Sequence, residues 1–267
     1  MNDIRSLEVP VMSFAEVCDR GKEREENQDS VRHVRLALGE LLLVADGIGG
    51  YVGGATASRM VIEGFTESMA ANSADDSPEQ AIREAAAHTN RNIYEAANAP
   101  DSIYRRMGST VVLALLIQKE TGTSAWIGHI GDSRAYLIRD GRMSRVTNDH
   151  SAVQALLDSH VITPEQASTH PDASVLTRSL GHRPEVEIEI SIVSMIPGDT
   201  LLLCSDGLWG YVPELQIESI AVNSNGSLEE VAQGLFELAM AAGGHDNIGV
   251  EMVRLNRSTA QTQILSV

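Results

Sequence analysis

Two stretches of the chain end an apolar run in a carboxylate. LLLVADG at 41–47 and LLLCSDG at 201–207 share one form: apolar residues, a small residue, an aspartate, a glycine. Each carries an acid, Asp46 or Asp206, to the tip of what reads as a buried strand. The glycine that follows lets the backbone turn and brings a carbonyl near whatever the acid binds. Three more acids have similar settings. Asp132 in GHIGDSR lies between two apolar runs, Asp246 in GGHDNIG precedes the last one, and Asp29 in NQDS opens the first hairpin. Singly, each reads equally well as a turn or helix-cap residue. Asp140-Gly141 is read as just such a turn. Together, carboxylates gathered at strand ends repel one another unless protons or cations lie among them. Oxygen ligands favour Mg²⁺ or Mn²⁺ over zinc. The histidines lack zinc-site spacing, and the acids lack the EF-hand pattern. Arg24 stands five residues before Asp29. A guanidinium fork suits a phosphate, and it equally suits balancing Glu23, Glu25 and Glu26. These residues alone point to a metal-dependent phosphoester hydrolase.

The elements that must position these acids follow from periodicity. An edge strand falls within residues 1–20, and Gly21–Ser30 is a polar loop. Val31–Leu36 and Leu41–Ala45 read as strands joined by a turn at Gly39. The glycines after Asp46 suit a tight loop, and helical spacing starts at Ala55 and runs to Met69. A second helix opens at Ser77-Pro78, with serine as N-cap and proline in the first turn, and runs to about Asn98. Gly108–Ile117, Ser124–His129, Ala135–Arg139, Glu185–Ile192, Thr200–Ser205 and Ile248–Leu255 read as strands. Ser151–Ser159 and Pro164–Thr169 read as short helices, and Leu228–Ala242 as an amphipathic one. Short turns between consecutive strands favour antiparallel sheets, packed together with helices outside.

Composition narrows the function. The chain has 267 residues, 43% of them hydrophobic, which is enough for one large core. A net charge of −17 with no basic block argues against nucleic acid as a partner. No run of about 18 apolar residues is present, so no membrane span is expected. The N-terminus lacks a signal-peptide pattern. Cys18 and Cys204 form no CxxC pair and read as reduced thiols of a cytoplasmic protein.

The ordered motifs R24-E-E-N-Q-D29, A-D46-G-I-G-G, G108-S-T, G131-D132-S-R, S205-D206-G-L and D246-N-I resemble the protein phosphatase type 2C (PPM) family in its bacterial form. The resemblance runs from about Gly21 to Val253 and includes a flap segment at about 145–181. It implies an α+β fold, a four-layer α-β-β-α sandwich of two antiparallel sheets flanked by helices. A single catalytic domain would occupy residues 1–256, with a polar tail at 257–267. The implied activity is a protein-serine/threonine phosphatase, acting on phosphorylated proteins and opposing a cognate bacterial Ser/Thr kinase. The implied cofactors are two core Mn²⁺ or Mg²⁺ ions and a third, weaker site. Carried over by motif, Asp46 bridges the two core ions and the Gly47 carbonyl holds one. Asp206 and Asp246 complete the other shell, Asp29 acts largely through water, and Asp132 with Asp206 forms the third site. Arg24 binds the phosphate. Two ions about 3.5–4 Å apart acidify a shared water for in-line attack on phosphorus.

Two departures stand out. Ile48 occupies the position where many eukaryotic members carry a histidine proposed as general acid. A metal-bound water, His245 and His150 are alternatives for that role, though each histidine reads more readily as a surface or packing residue. The flap reads HPDA where HPxR is usual, so an arginine is missing at Ala173. The rival functions are a phosphatase-fold scaffold and a small-molecule phosphomonoesterase.

Overall fold

Strands buried on both faces set the architecture. In the computed structural model, which describes residues 11–167, 170–223 and 226–257, Leu41–Ala45 are fully buried and split between two cores. Leu41, Leu43 and Ala45 face helices, while Leu42 and Val44 face a second sheet. An unbroken apolar run is what such a strand requires.

The chain order is β1 (Met12–Asp19), β2 (Asp29–Arg35), β3 (Glu40–Ile48), α1 (Gly50–Ala70), α2 (Pro78–Asn98), β4 (Gly108–Ser109), β5 (Val111–Lys119), β6 (Gly122–Ile130), β7 (Arg134–Arg139), β8 (Arg142–Arg145), α3 (Ala152–Asp158), α4 (Pro164–Ala167), β9 (Glu189–Met195), β10 (Thr200–Cys204), α5 (Asp206–Trp209), α6 (Glu214–Asn223), α7 (Leu228–Ala241) and β11 (Ile248–Leu255). One sheet is ordered β1-β11-β10-β7-β8. The other is ordered β2-β3-β5-β6-β9, with β4 extending β3. The pairings are antiparallel. Helices α1 and α2 cover the second sheet, α6 and α7 cover the first, and a third apolar layer lies between the sheets. This is the expected four-layer α-β-β-α sandwich.

Local chemistry explains the helix ends. The Ser77 hydroxyl accepts the Gln80 N–H, and Pro78 sits in the first turn. Ser227 and Glu230 form a reciprocal capping box that starts α7.

Three boundaries depart from the sequence reading. Helix α1 begins at Gly50, not Ala55, and takes in the glycines read as a loop. Close packing explains it: a Cβ on Gly54 would lie 2.4 Å from Gln28 Oε1, and one on Gly53 would lie 3.0 Å from Met107 Cβ. Contact with neighbouring chain outweighs the low helix propensity of glycine. Strand β2 begins at Asp29, which moves Asp29 and Ser30 out of the loop and into the sheet. Strand β9 spans Glu189–Met195, later than the expected 185–192, because its register is fixed by pairing with β6. Helix α6 has no counterpart in the sequence reading. The end of the second flap helix and the polar tail beyond residue 257 lie outside the described residues.

Candidate metal centre

The acids meet because each lies near a strand's start or end at one end of the sandwich. Asp29 starts β2, just after the chain leaves β1 of the opposite sheet, and is in register with Asp46 on β3. Asp132 lies in the crossing from β6 to β7, which belong to different sheets. Asp206 follows β10, and Asp246 precedes β11. Asp46, Asp132, Asp206 and Asp246 line one cleft of about 680 Å³, together with Arg24, Gly47 and Ile48.

Polar neighbours hold the segments of Asp29, Asp46, Asp132 and Asp246. The Asp46 N–H donates to Thr110 Oγ1 at 3.0 Å, and the Asp46 carbonyl accepts from the Thr110 N–H and the Ser109 hydroxyl, both at 2.8 Å. Thr110 and Ser133 share a hydroxyl–hydroxyl bond of 2.7 Å, which ties the Asp46 strand to the loop of Asp132. The Ser205 hydroxyl donates to Asp29 Oδ2 at 2.6 Å and accepts the Gly249 N–H at 2.9 Å. Asn247 binds the 20–28 loop by three bonds: it accepts from the Gln28 N–H and donates to the Arg20 and Glu26 carbonyls. Arg24 Nη2 donates to Asp246 Oδ2 at 2.7 Å, with its side chain still 52% exposed.

Electrostatics follow from burial and from the crowding of the acids. Burial pushes Asp29 up to about 7, against the bond from Ser205, and the Asp246 charge adds to the rise. Burial, then the charge of Asp149, pushes Asp132 up to about 6. Asp46 and Asp206 are held well above the carboxylate range by burial and then by the other acids. Asp29 Oδ1 is buried with no hydrogen-bond partner. A buried, unpartnered carboxylate oxygen beside four acids is a donor set that fits divalent cations bound through oxygen.

Comparison with known proteins agrees with this geometry. The family model of protein phosphatase 2C matches residues 20–241.

The chain belongs to the protein phosphatase 2C family.

It is a protein serine/threonine phosphatase, and metal dependence is a property of its family. It is 35% identical over 255 residues to protein phosphatase PhpP of Streptococcus pneumoniae, which covers 94% of this chain and 100% of that one. It superposes on serine/threonine phosphatase Stp1 of Staphylococcus aureus with a TM-score of 0.85 and 30% identity, over 92% of this chain and 96% of that one. A third likeness is to the catalytic domain of the phosphatase PstP, solved in complex with two manganese ions, with a TM-score of 0.78 and 33% identity over 92% and 99% of the two chains. The scaffold and small-molecule readings are not favoured.

The phosphatase thus brings Arg24, Asp46, Gly47, Asp132, Asp206 and Asp246 to one cleft, with Asp29 buried beside Asp46 and Ser205. The two histidines weighed for the acid role are committed elsewhere. His150 accepts the Gly131 N–H at Nδ1 and pairs with Glu189 through Nε2 at 3.3 Å. His245 pairs with Glu23 at 2.8 Å and packs on Tyr211. His129, His150 and Glu189 place three possible donor atoms within 4.8 Å of one another. The two rings, however, are stacked with planes 16° apart, and His129 Nε2 bonds the Asn148 carbonyl. Near-parallel rings aim their lone pairs side by side, so this trio is a clamp at the root of the flap. Sequence reasoning left out His182, which lines the cleft and bonds Ser179 and the Arg106 carbonyl. It also gave no role to Ser133, Ser205 and Asn247, although each adjoins an acid of a motif.

Proposed function

We propose that the phosphatase removes phosphate from phosphoserine and phosphothreonine in proteins through divalent ions, Mn²⁺ or Mg²⁺, held by Asp29, Asp46, Asp132, Asp206 and Asp246. The observation that carries this is the meeting of five acids from two sheets, with an unpartnered oxygen on buried Asp29. Asp46 and the Gly47 carbonyl would hold a first ion, and Asp46, Asp206 and Asp246 a second. Asp29 would contribute from behind, and Asp132 with Asp206 would form a weaker third site. Ions bound there supply an acidified water and a Lewis acid for the phosphoryl oxygens.

The chain's own residues bind and orient the substrate. Arg24 spends one N–H on Asp246 and keeps a half-exposed guanidinium at the cleft, where its other donors take phosphoryl oxygens. Thr110 and Ser109 fix the backbone of Asp46, so its side chain enters the cleft from a preset position. Ile48 lines the cleft and has no titratable group, so it does not protonate the leaving alkoxide.

The catalytic unit is a single domain made of the sandwich and its flap. Its substrates are phosphorylated proteins of a Ser/Thr kinase system in the cytoplasm. No helix among the described residues is long and apolar enough to cross a membrane. The test is phosphate release from a phosphothreonine peptide by metal-stripped protein, with and without Mn²⁺. Release that depends on Mn²⁺ and is lost in Asp206→Asn is the expected result. Equal release without metal, or in the variant, refutes the ligand assignment.

A further inference from the structure

One buried guanidinium touches every segment that brings an acid to the cleft from the side of β7 and β10. Arg134 begins β7, two residues after Asp132. Its side chain is 11% exposed, and that of Asp149, at the root of the flap, is 5% exposed. The two form a fork: Nε donates to Oδ1 at 3.0 Å and Nη2 to Oδ2 at 2.6 Å. Nη1 donates to Glu214 of α6 at 3.0 Å and to the Tyr136 hydroxyl at 3.2 Å. The guanidinium carbon lies 3.3 Å from the ring centroid of Trp209. Trp209 ends the one-turn helix α5, which Asp206 begins. Cation–π contact at that distance, out of water, is worth more than at an exposed site.

The segments that Arg134 contacts therefore lead to two of the acids. Asp132 is on its own segment. Asp206 is one helical turn from Trp209. Asp149 joins His150, whose N–H bonds the Gly131 carbonyl next to Asp132 at 2.9 Å. Loops and a four-residue helix have little intrinsic rigidity. Something must hold Asp132 and Asp206 at a fixed separation.

The geometry points to Arg134 as a positioning residue that sets Asp132 against Asp206 and couples both to the root of the flap. The inference rests on the reading of these two acids as metal ligands. Lysine cannot replace it: an ammonium offers neither the planar fork nor the stacking face. The network acts on ions through their ligands, as partners of metal ligands do elsewhere, where their loss costs about 10–100-fold in affinity or activity.

The test uses the full chain, stripped of metal, and reads Mn²⁺ binding by calorimetry beside activity. Arg134→Lys is expected to weaken Mn²⁺ binding about 10-fold or more, with activity largely restored at saturating Mn²⁺. In a Trp126→Phe background, Trp209 emission should shift as the guanidinium leaves the ring. Trp209→Leu keeps the ion pair and should weaken Mn²⁺ binding by a smaller factor. It also decides the matter if Arg134→Lys fails to fold. Leu235→Ala, a core change in α7, is the control for destabilisation alone and should leave Mn²⁺ binding intact. Wild-type Mn²⁺ affinity in folded Arg134→Lys, or in Trp209→Leu should Arg134→Lys not fold, overturns the proposal. An equal loss in Leu235→Ala overturns it as well. Asp206→Asn is measured in parallel. If that variant binds Mn²⁺ like the wild type, the ligand assignment itself has failed, and the inference falls with it on separate data.

Discussion

The two echoing strand ends, LLLVADG and LLLCSDG, bring their aspartates to one cleft from opposite faces. In β3, Leu42 and Val44 point between the sheets, and Asp46 follows them in the same alternation. In β10 the corresponding residues, Leu202 and Cys204, face the helices, while Leu201 and Leu203 point between the sheets. Continued as a strand, β10 would aim Asp206 toward the helices. It ends at Cys204 instead, and the chain enters the one-turn helix α5 with Asp206 first. Ser205 takes the inter-sheet position and gives its hydroxyl to Asp29. The shared motif therefore records a common task, a carboxylate beside a tight glycine, and says nothing of which face the strand presents. A strand alternates sides with period two, so a single change of facing must be undone by a change of backbone.

The comparison can be broken most sharply at the acids. Asp46→Asn and Asp206→Asn should each cost more turnover than the roughly 10²–10³-fold seen for loss of one electrostatic stabiliser, with the fold retained by circular dichroism. Steady-state phosphopeptide hydrolysis checks this, and a large loss in only one variant would show that the two ends are not equivalent in function. The next effect is on pH. Without ions, the raised values of Asp29 and Asp132, about 7 and about 6, mean that the folded chain keeps protons which the unfolded chain sheds above about pH 4. Stability of the metal-stripped protein should then fall as pH rises from about 4 to about 7, and Mn²⁺ should remove the slope by taking the protons' place. Thermal melts from pH 5 to 8, with and without Mn²⁺, test the sign.

Ser205→Ala probes the β10 side alone. It takes the donor from Asp29 and should weaken Mn²⁺ binding about 10-fold, with calorimetry as the readout. An unchanged affinity would mean that the inter-sheet hydroxyl serves packing only. The paired glycines are tested through stability. A Cβ on Gly47 would lie 2.0 Å from the Gly54 carbonyl oxygen, and one on Gly207 would lie 1.8 Å from that of Asn247. Gly47→Ala and Gly207→Ala should each destabilise by about 1–3 kcal/mol through overpacking. Urea unfolding would show it, and a tolerated alanine at either site would mean that that end has room to turn.

The candidate site was legible in the sequence because each acid sits at a discontinuity that leaves a mark: an apolar run stopping, a glycine following, a hairpin opening. Gly39, Pro78 and the run of β5 were legible for the same local reason. Three things were not. Arg134 reads as one more charged residue at the start of a strand, because its partners Asp149, Trp209 and Glu214 lie 15 to 80 positions away. Helix α6 carries a mixed pattern whose apolar face gains meaning only against β8 and α7. The glycines of α1 read as loop because their use is to let Gln28 and Met107 approach.

By itself, then, the sequence determined where the buried apolar runs lie and which carboxylates stand at their ends. Those properties depend on neighbours along the chain and on the transfer of apolar side chains from water. Only the tertiary structure decided which sheet each strand joined, which way Asp206 had to be turned, and which cation would lie under the flap. Those properties depend on contacts between residues far apart in the chain, and no local pattern encodes a facing that one added turn of backbone can reverse.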